Sequence, residues 1–295
     1  MTQAARMRAM LREPGMVIAP GAYDGLTAKL VAQAGFPAVY MTGAGTSVAH
    51  GYPDFGLLTG SEMVANAARM VRAVDVPVIA DADTGYGNEL NVVRTVEDYE
   101  RAGVAGIHIE DQVSPKRCGH LDDKEIVPRE DWIAKIRAAA YARRDRDFLV
   151  IARTDSRAVV GFEEAIARAN AALEAGADMA FVEAPQTPEE IAAVPKLVKG
   201  PCLLNVVWGG KTPTLDLREA ETLGFKLAIV PGLLFKAVIG ACDAVLEELK
   251  TTHAHPVPRG NMTVKDAFNR VGAREWEVFR TRFRDASVPT AKAAE

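Results

Sequence analysis

Short runs continuous in Val, Ile, Leu, Ala and Phe alternate along the chain with longer segments whose apolar residues recur every three or four positions. The short runs fall at 16–20, 38–42, 76–81, 105–110, 148–153, 179–183, 202–205 and 227–230, unbroken as strands buried on both faces are. The segments 24–34, 61–74, 90–102, 129–143, 162–175, 188–199 and 233–250 carry the helical period. Gly35, Gly103, Gly176 and Gly224 each stand a few residues before a strand, where a left-handed residue without a Cβ closes a helix. This pattern predicts eight βα units in series. No G-x-G-x-x-G follows the first strand, which disfavours an open dinucleotide-binding sheet, so the expected fold is α/β, a (β/α)8 TIM-type barrel over residues 1–255. The stretch from Pro256 to Gly260 breaks the pattern. Beyond it, 263–284 reads as one or two amphipathic helices with Phe268, Trp276, Phe279 and Phe283 on their apolar faces. The C-terminal helical extension, 256–295, is expected to pack against the barrel or a neighbouring subunit.

Composition narrows the function classes. Thirty-five Lys plus Arg against 39 Asp plus Glu leave a net charge of -4, without the concentrated positive field that a nucleic acid or an anionic membrane requires. No apolar run approaches the ~20 residues of a membrane span, and residues 1–14 lack the apolar core of an export signal. The three cysteines, Cys118, Cys202 and Cys242, are far apart and form no CxxC, so neither a disulfide framework nor a structural zinc site is expected. A reducing, cytoplasmic setting follows. Cys202 and Cys242, in apolar surroundings, read as core residues.

In such a barrel the chemistry lies at the C-terminal strand ends, and here those ends turn polar. Strand two ends in Thr42, three in Asp81 and Asp83, four in Glu110, five in Arg153, six in Glu183 and seven in Asn205. Strand residues two apart share a face, so Asp81 and Asp83 point to the mouth, where Glu110 can join them. Three carboxylates that close repel one another unless a cation neutralises them. An all-oxygen set without convergent His or Cys suits Mg²⁺, with Mn²⁺ as the alternative ion. A metal-free barrel, in which Arg153 and a lysine pair with the acids, is the competing reading. Asp54, after strand two, either meets the ion through a water or caps a turn.

The run Lys116-Arg117-Cys118-Gly119-His120 is the second signal. A thiol between two cations and an imidazole is expected to have a lowered pKa, unless the run is only a solvated basic loop. Tyr40 and His108, two residues before Thr42 and Glu110, share their inward faces. Tyr40 is a candidate base for a substrate hydroxyl or simply a packed inward tyrosine, and His108 has the same ambiguity. Gly210-Lys211-Thr212 lacks the upstream glycine of a phosphate-binding loop, and no nucleophile-elbow or zinc-helix motif occurs.

These residues resemble the isocitrate lyase and phosphoenolpyruvate mutase superfamily, nearest to 2-methylisocitrate lyase and its dimethylmalate- and oxaloacetate-acting relatives. The segments that carry the resemblance are GAYDGLTAKL, MTGAGTSVAHGYPDFGLLT, DADTGYGN, HIEDQVSPKRCGH, ARTDS, FVEAP and NVVWGGKTP. The resemblance implies a Mg²⁺-dependent carbon-carbon lyase that cleaves a 2-hydroxy di- or tricarboxylate into an oxo acid and a carboxylate. A carboxyphosphonoenolpyruvate-type phosphonomutase and an oxaloacetate decarboxylase or hydrolase are the alternatives. It also implies a mobile gating loop carrying Cys118 and a homotetramer whose C-terminal helices are exchanged between subunits. By the same resemblance Thr42, Gly43 and Ala44 hold a substrate carboxylate, and Asp81 and Asp83 organise the metal with Asp54 and Glu110. Cys118 and Gly119 lie over the reacting carbon, His120 on the same loop is a catalytic candidate with Cys118 and Arg153, and Arg153, Glu183 and Asn205 contact the substrate. The chain departs from the methylisocitrate lyase pattern at Asn205-Val206-Val207-Trp208-Gly209-Gly210, where an acid is replaced by an indole. It departs again at Lys236, which stands where an arginine for a distal carboxylate is expected. Both point to a smaller substituted malate.

Overall fold

The computed structural model describes residues 1–284. Eight parallel strands close into a barrel in sequence order: β1 (Val17–Ala22), β2 (Val39–Met41), β3 (Val78–Asp81), β4 (Gly106–Glu110), β5 (Leu149–Thr154), β6 (Met179–Val182), β7 (Cys202–Asn205) and β8 (Leu227–Val230). The seam is sealed by β1 on β8, with Val17 opposite Leu227 and Pro20 opposite Val230. The helices are α1 (Gln3–Arg12), α2 (Gly25–Gln33), α3 (Gly43–Ala49), α4 (Gly60–Ala73), α5 (Glu89–Ala102), α6 (Arg129–Ala142), α7 (Ser156–Val159), α8 (Phe162–Glu174), α9 (Pro188–Leu197), α10 (Leu217–Leu223), α11 (Leu233–Thr252), α12 (Val264–Asn269) and α13 (Ala273–Arg284). The eight expected strands are all present, with ends shifted by at most two residues.

Local chemistry sets the helix ends. Asp24 with Thr27, Thr59 with Glu62 and Asn88 with Asn91 form reciprocal capping boxes that satisfy the first amides of α2, α4 and α5. At the other end Gly103 and Gly224 lie in the left-handed region, at φ 87° and 105°, where a side chain would clash with its own carbonyl.

Alternation along the strands divides the side chains. One set, including Ala19, Tyr40, Ile79, Leu149, Ile151, Phe181, Leu203 and Ile229, fills the barrel interior, while the other packs against the surrounding helices. The interior cluster also contains Met7 of α1, a helix that the sequence pattern did not announce. Its ends are tied to the bottom of the strands: Gln3 accepts from the Val78 amide at 3.0 Å, and Arg8 pairs with Asp178 at 3.0 Å. A ten-residue helix with two buried residues depends on this docking rather than on its own periodicity.

The chain divides into two compact units, 1–239 and the residues from 240 onward. The candidate site lies wholly in the first. In the second, Phe268, Trp276, Phe279 and Phe283 are exposed, and Trp276 meets Phe279 edge-on at 6.1 Å between centroids. Residues 285–295 of the expected extension lie outside the described residues. Cys202 is buried in β7 as expected, but Cys242 is exposed, which corrects its assignment to the core. It sits on α11, which is apolar on much of its circumference yet has no buried residue, so apolar sequence neighbours did not mean burial. No helix among the described residues is long and apolar enough to cross a membrane.

Candidate active site

The polar strand ends continue the inward-facing rows: Tyr40 leads to Thr42, Ile79 to Asp81, His108 to Glu110, Ile151 to Arg153, Phe181 to Glu183 and Leu203 to Asn205. The packed interior thus gives way to a polar floor beneath a cavity of about 240 Å³ at the C-terminal mouth. Tyr40, Thr42, Ala44, Asp54, Asp81, Arg153, Glu183 and Asn205 line it from the barrel, Cys118, Gly119 and His120 from the loop after β4, and Lys236 from the start of α11. Asp83 and Glu110 lie beside the cavity rather than on its wall, as does Gly43, whose amide donates to Asp81 at 3.1 Å. That amide is therefore engaged by the acid and not directed at a substrate carboxylate. Thr42 caps α3, accepting from Gly45 at 3.3 Å.

Arg153 is enclosed by acid. It donates to Asp155 at 2.9 and 3.2 Å, faces Glu110 at 3.1 Å and Glu183 at 3.6 Å, and lies over the Phe181 ring at 5.2 Å. Lys116 pairs with Asp54 and stands 3.2 Å from Asp83. Burial pushes Asp83 up to about 6, with the neighbouring Asp81 and Asp54 charges adding to it. Burial acts on Asp81 in the same direction, but His108, Lys116 and Arg153 more than offset it and bring that group to about 2. Glu110 is held well above the carboxylate range by burial, and its Oε1 has no hydrogen-bond partner.

Tyr40 hydrogen-bonds His108 Nε2 at 2.8 Å and Asp81 at 3.3 Å. Burial, reinforced by Asp81, raises its phenol well above 10, so it is a neutral hydrogen-bonding group rather than a ready base. Burial also lowers His108 to about 4, which leaves the imidazole uncharged.

The loop after β4 is tied down over the mouth at three points. Lys116 reaches Asp54, His120 faces Glu183 at 3.2 Å, and Lys124 contacts both the Gly119 carbonyl and Asp155. His120 Nδ1 accepts the Lys211 amide at 3.0 Å, so the ring proton sits on Nε2, directed at Glu183. Gly119 must be glycine, because a Cβ there would stand 2.6 Å from both Arg153 Nη2 and Glu183 Cγ. Gly119→Ala is therefore expected to hold the loop off the mouth and cost roughly 10²-fold in kcat/KM, the scale of a 1 Å misplacement. Unchanged thermal stability would place the loss in the loop, and unchanged kinetics would reject the fit.

The environment of Cys118 reverses one expectation. Its pKa is raised, not lowered: burial dominates, Asp54 adds to it, and the His120 amide and Lys116 only partly oppose it. The cations flanking it in sequence are directed elsewhere, Lys116 to Asp54 and Asp83 and Arg117 over the Phe55 ring at 5.8 Å. Cys118 is thus a protonated thiol at neutral pH. Trp208 is 81% exposed and does not line the cavity, and its carbonyl accepts from Lys236 at 2.9 Å. The apolar part of the wall comes instead from Leu121, Val207, Pro231 and Phe235. Sequence reading passed over Asp155 and Lys124. For Asp155 the signal was present, since it stands two residues beyond Arg153 on the same face, whereas nothing local marks Lys124.

Residues 7–250 match the phosphoenolpyruvate phosphomutase family. The chain belongs to that family. The 2,3-dimethylmalate lyase of Eubacterium barkeri is 52% identical over 232 residues, 78% of this chain and 80% of that protein. The 2-methylisocitrate lyase of Aeropyrum pernix is 44% identical over 243 residues, 82% of this chain and 78% of that one. A crystal structure of 2,3-dimethylmalate lyase, described as a PEP mutase/isocitrate lyase superfamily member, superposes with a TM-score of 0.92 at 40% identity, covering 100% of this chain and 99% of that one. A phosphonopyruvate hydrolase complexed with oxalate and Mg²⁺ superposes at 0.88 and 32% identity, covering 97% and 100%.

Among the described residues no three His, Cys, Asp or Glu side chains converge tightly enough to hold an ion as they stand, with Lys116 between Asp54 and Asp83. The donor chemistry nevertheless suits a hard ion. Among the described residues, six carboxyl groups, Asp54, Asp81, Asp83, Glu110, Asp155 and Glu183, face three cations, Lys116, Lys124 and Arg153; burial holds Glu110 toward its protonated form, and it keeps a buried, unpartnered oxygen. Such a deficit of positive charge in a region shielded from water is what a doubly charged, oxygen-seeking ion relieves.

Proposed function

We propose that this protein is a Mg²⁺-dependent lyase that cleaves the carbon-carbon bond beside the hydroxyl of a substituted malate or related 2-hydroxy acid, giving an oxo acid and a carboxylate. The observation that carries this reading is the meeting of the Cys118 thiol, the Arg153 guanidinium and the acidic strand ends at one cavity. Family membership and the lyases among the relatives support it.

Asp81 would hold the ion, with Asp54, Asp83 and Glu110 around it, and Mn²⁺ would serve in its place. When bound, the ion supplies Lewis-acid stabilisation of the oxygens of the nascent oxo acid. Arg153, fixed by Asp155 beneath it, offers a positive group to the carboxylate and hydroxyl oxygens. Thr42 and Ala44 form the wall at the start of α3, where the substrate carboxylate is placed in this reading. As the bond breaks, the substrate hydroxyl gives its proton to a carboxylate of the acidic strand ends and its oxygen becomes the oxo group; the electron pair left on the carbon next to the departing carboxylate takes up the proton of the Cys118 thiol, and the resulting thiolate regains a proton before the next turnover. His120, hydrogen-bonded between Lys211 and Glu183, and Asn205, 3.0 Å from Glu183, keep the loop over this chemistry and exclude water. Glu183 and Asn205 reach the substrate from β6 and β7.

The exposed aromatic residues of the tail helices favour a homotetramer with C-terminal helices exchanged between subunits. Three free cysteines and a small-molecule substrate suit a cytoplasmic setting, with no nucleic-acid or membrane partner.

Mass spectrometry of the products formed from a panel of 2-hydroxy di- and tricarboxylates in Mg²⁺ tests the reading. Among the described residues the distal wall offers one cation, Lys236, already bonded to the Trp208 carbonyl, beside the apolar Val207 and Phe235. An additional carboxylate there would lack a full partner, so an alkyl-substituted malate is expected to exceed 2-methylisocitrate in kcat/KM by about tenfold or more. Preference for the tricarboxylate would reject the assignment of the distal wall. Phosphonate formation seen by ³¹P NMR, or cleavage of oxaloacetate alone, would replace the lyase reading with one of its relatives' reactions.

A further inference from the structure

The segment that carries the two acids of β3 follows an unusual path. Asp83, Gly85 and Tyr86 lie at φ 44°, 83° and 58°, and Gly87 at 149°, so the chain leaves the strand through a run of left-handed residues. A buried segment on such a path has no ladder for its carbonyls, and each must find a donor elsewhere. Every carbonyl from Asp81 to Gly85 does. Ala82 accepts from the Gly85 amide and Asp83 from the Glu110 amide, both at 2.9 Å. The other three are taken by side chains of the outer helices: Asp81 by the Tyr99 hydroxyl at 2.8 Å, Thr84 by Lys135 Nζ at 3.1 Å and Gly85 by the Thr95 hydroxyl at 3.1 Å.

All three donors are buried, and none lines the cavity. Tyr99 has one proton, and the Asp81 carbonyl takes it. The Tyr86 hydroxyl, 3.2 Å away, must then donate to Tyr99, which binds the far end of the same turn into the arrangement. Lys135 is the most informative of the three. An ammonium buried beside α5 is costly, and among the described residues no carboxylate forms an ion pair with it, Asp131, Glu89 and Glu110 acting on it only from a distance. Packing alone would be served by Met or Leu. What the ammonium adds is a donor aimed at Thr84.

We propose that Tyr99, Lys135 and Thr95 are positioning residues for the acidic turn: through the backbone carbonyls of Asp81, Thr84 and Gly85 they hold the left-handed path that presents the Asp81 and Asp83 carboxylates to a divalent ion. This rests on the reading that those acids hold the ion. A turn released from its outer donors relaxes toward ordinary backbone angles and rotates the carboxylates apart, although no contact in the cavity has been removed.

The test is Mn²⁺ binding to the full chain, read from the electron paramagnetic resonance signal of free Mn²⁺, which needs no turnover. Thr95→Val keeps the shape and loses only the donor to Gly85, while Tyr99→Phe keeps the ring but loses both the donor to Asp81 and the acceptor of the Tyr86 hydroxyl. Both are expected to weaken Mn²⁺ by roughly tenfold, the lower end for contacts behind a ligand. Thr95→Ser, which restores the hydroxyl, should recover wild-type affinity, and amides 82–87 should exchange faster in Thr95→Val than in Thr95→Ser. If wild type fails to bind Mn²⁺, the metal reading falls and this proposal with it. If wild type binds and both donor-deleted variants bind equally well, the proposal alone is overturned. Should Tyr99→Phe not fold, the Thr95 pair and Lys135→Met decide by the same criterion.

Discussion

Cys118→Ser is expected to lose about 10²- to 10⁴-fold in turnover, the usual cost of removing a positioned acid, while still binding an oxo acid product. The serine hydroxyl is close in size but far too weak an acid to deliver a proton to carbon on the time scale of turnover. The direction of the thiol's perturbation sharpens the expectation. Burial and Asp54 raise the Cys118 pKa, so the proton-bearing form persists through neutral pH and beyond the ordinary thiol range. Activity that needs this proton should therefore be retained across neutrality and fall only on the alkaline side, as the thiol ionises. A fall centred below neutral pH would identify a thiolate and a different role. An unchanged rate in Cys118→Ser would remove the residue from the chemistry, leaving it part of a basic loop.

Chelation with excess EDTA is expected to abolish turnover, and Mg²⁺ or Mn²⁺ to restore it. The physical reason is the shortage of positive charge at the mouth: among the described residues six carboxyl groups share three cations, and burial already pushes Glu110 and Asp83 toward their protonated forms, Asp83 to about 6. An ion that binds only the folded chain also stabilises it, by about 2.7 kcal/mol at a hundred times its Kd, so the thermal midpoint should rise on titration with Mg²⁺. Full turnover in EDTA, with a midpoint indifferent to Mg²⁺, would favour the arrangement in which Lys116 and Arg153 alone neutralise the acids. Asp83→Ala separates the two as well. Its loss should weaken the Mg²⁺ effect without unfolding the barrel, because a residue at the mouth contributes little to the packed interior.

The barrel was legible because each strand is continuous in apolar residues and each helix repeats with its own period, and both are properties of neighbours in sequence. The same two-residue alternation placed Thr42, Asp81, Glu110, Arg153, Glu183 and Asn205 at one mouth, since closing the sheet turns every inward row toward the same axis. Residue chemistry and the resemblance of the motifs together pointed to an acid-rich lyase site. The tertiary structure decided the rest. α1 exists because the barrel base buries Met7, and Cys242 is exposed although its sequence neighbours are apolar. Lys116 and Arg117 flank Cys118 in sequence but spend their charge on Asp54, Asp83 and the Phe55 ring, which turns the expected thiolate into a thiol. Trp208 marked a change in the distal wall, but the wall itself is made by Leu121, Val207 and Pro231 from the loops after β4, β7 and β8 and by Phe235 from the first turn of α11. Nor does any local pattern announce that Tyr99, Thr95 and Lys135 reach the carbonyls behind Asp81. Periodicity records which face of an element a side chain occupies, whereas pKa, pocket walls and carbonyl donors depend on which groups from distant segments meet there, and that is settled only when the chain closes on itself.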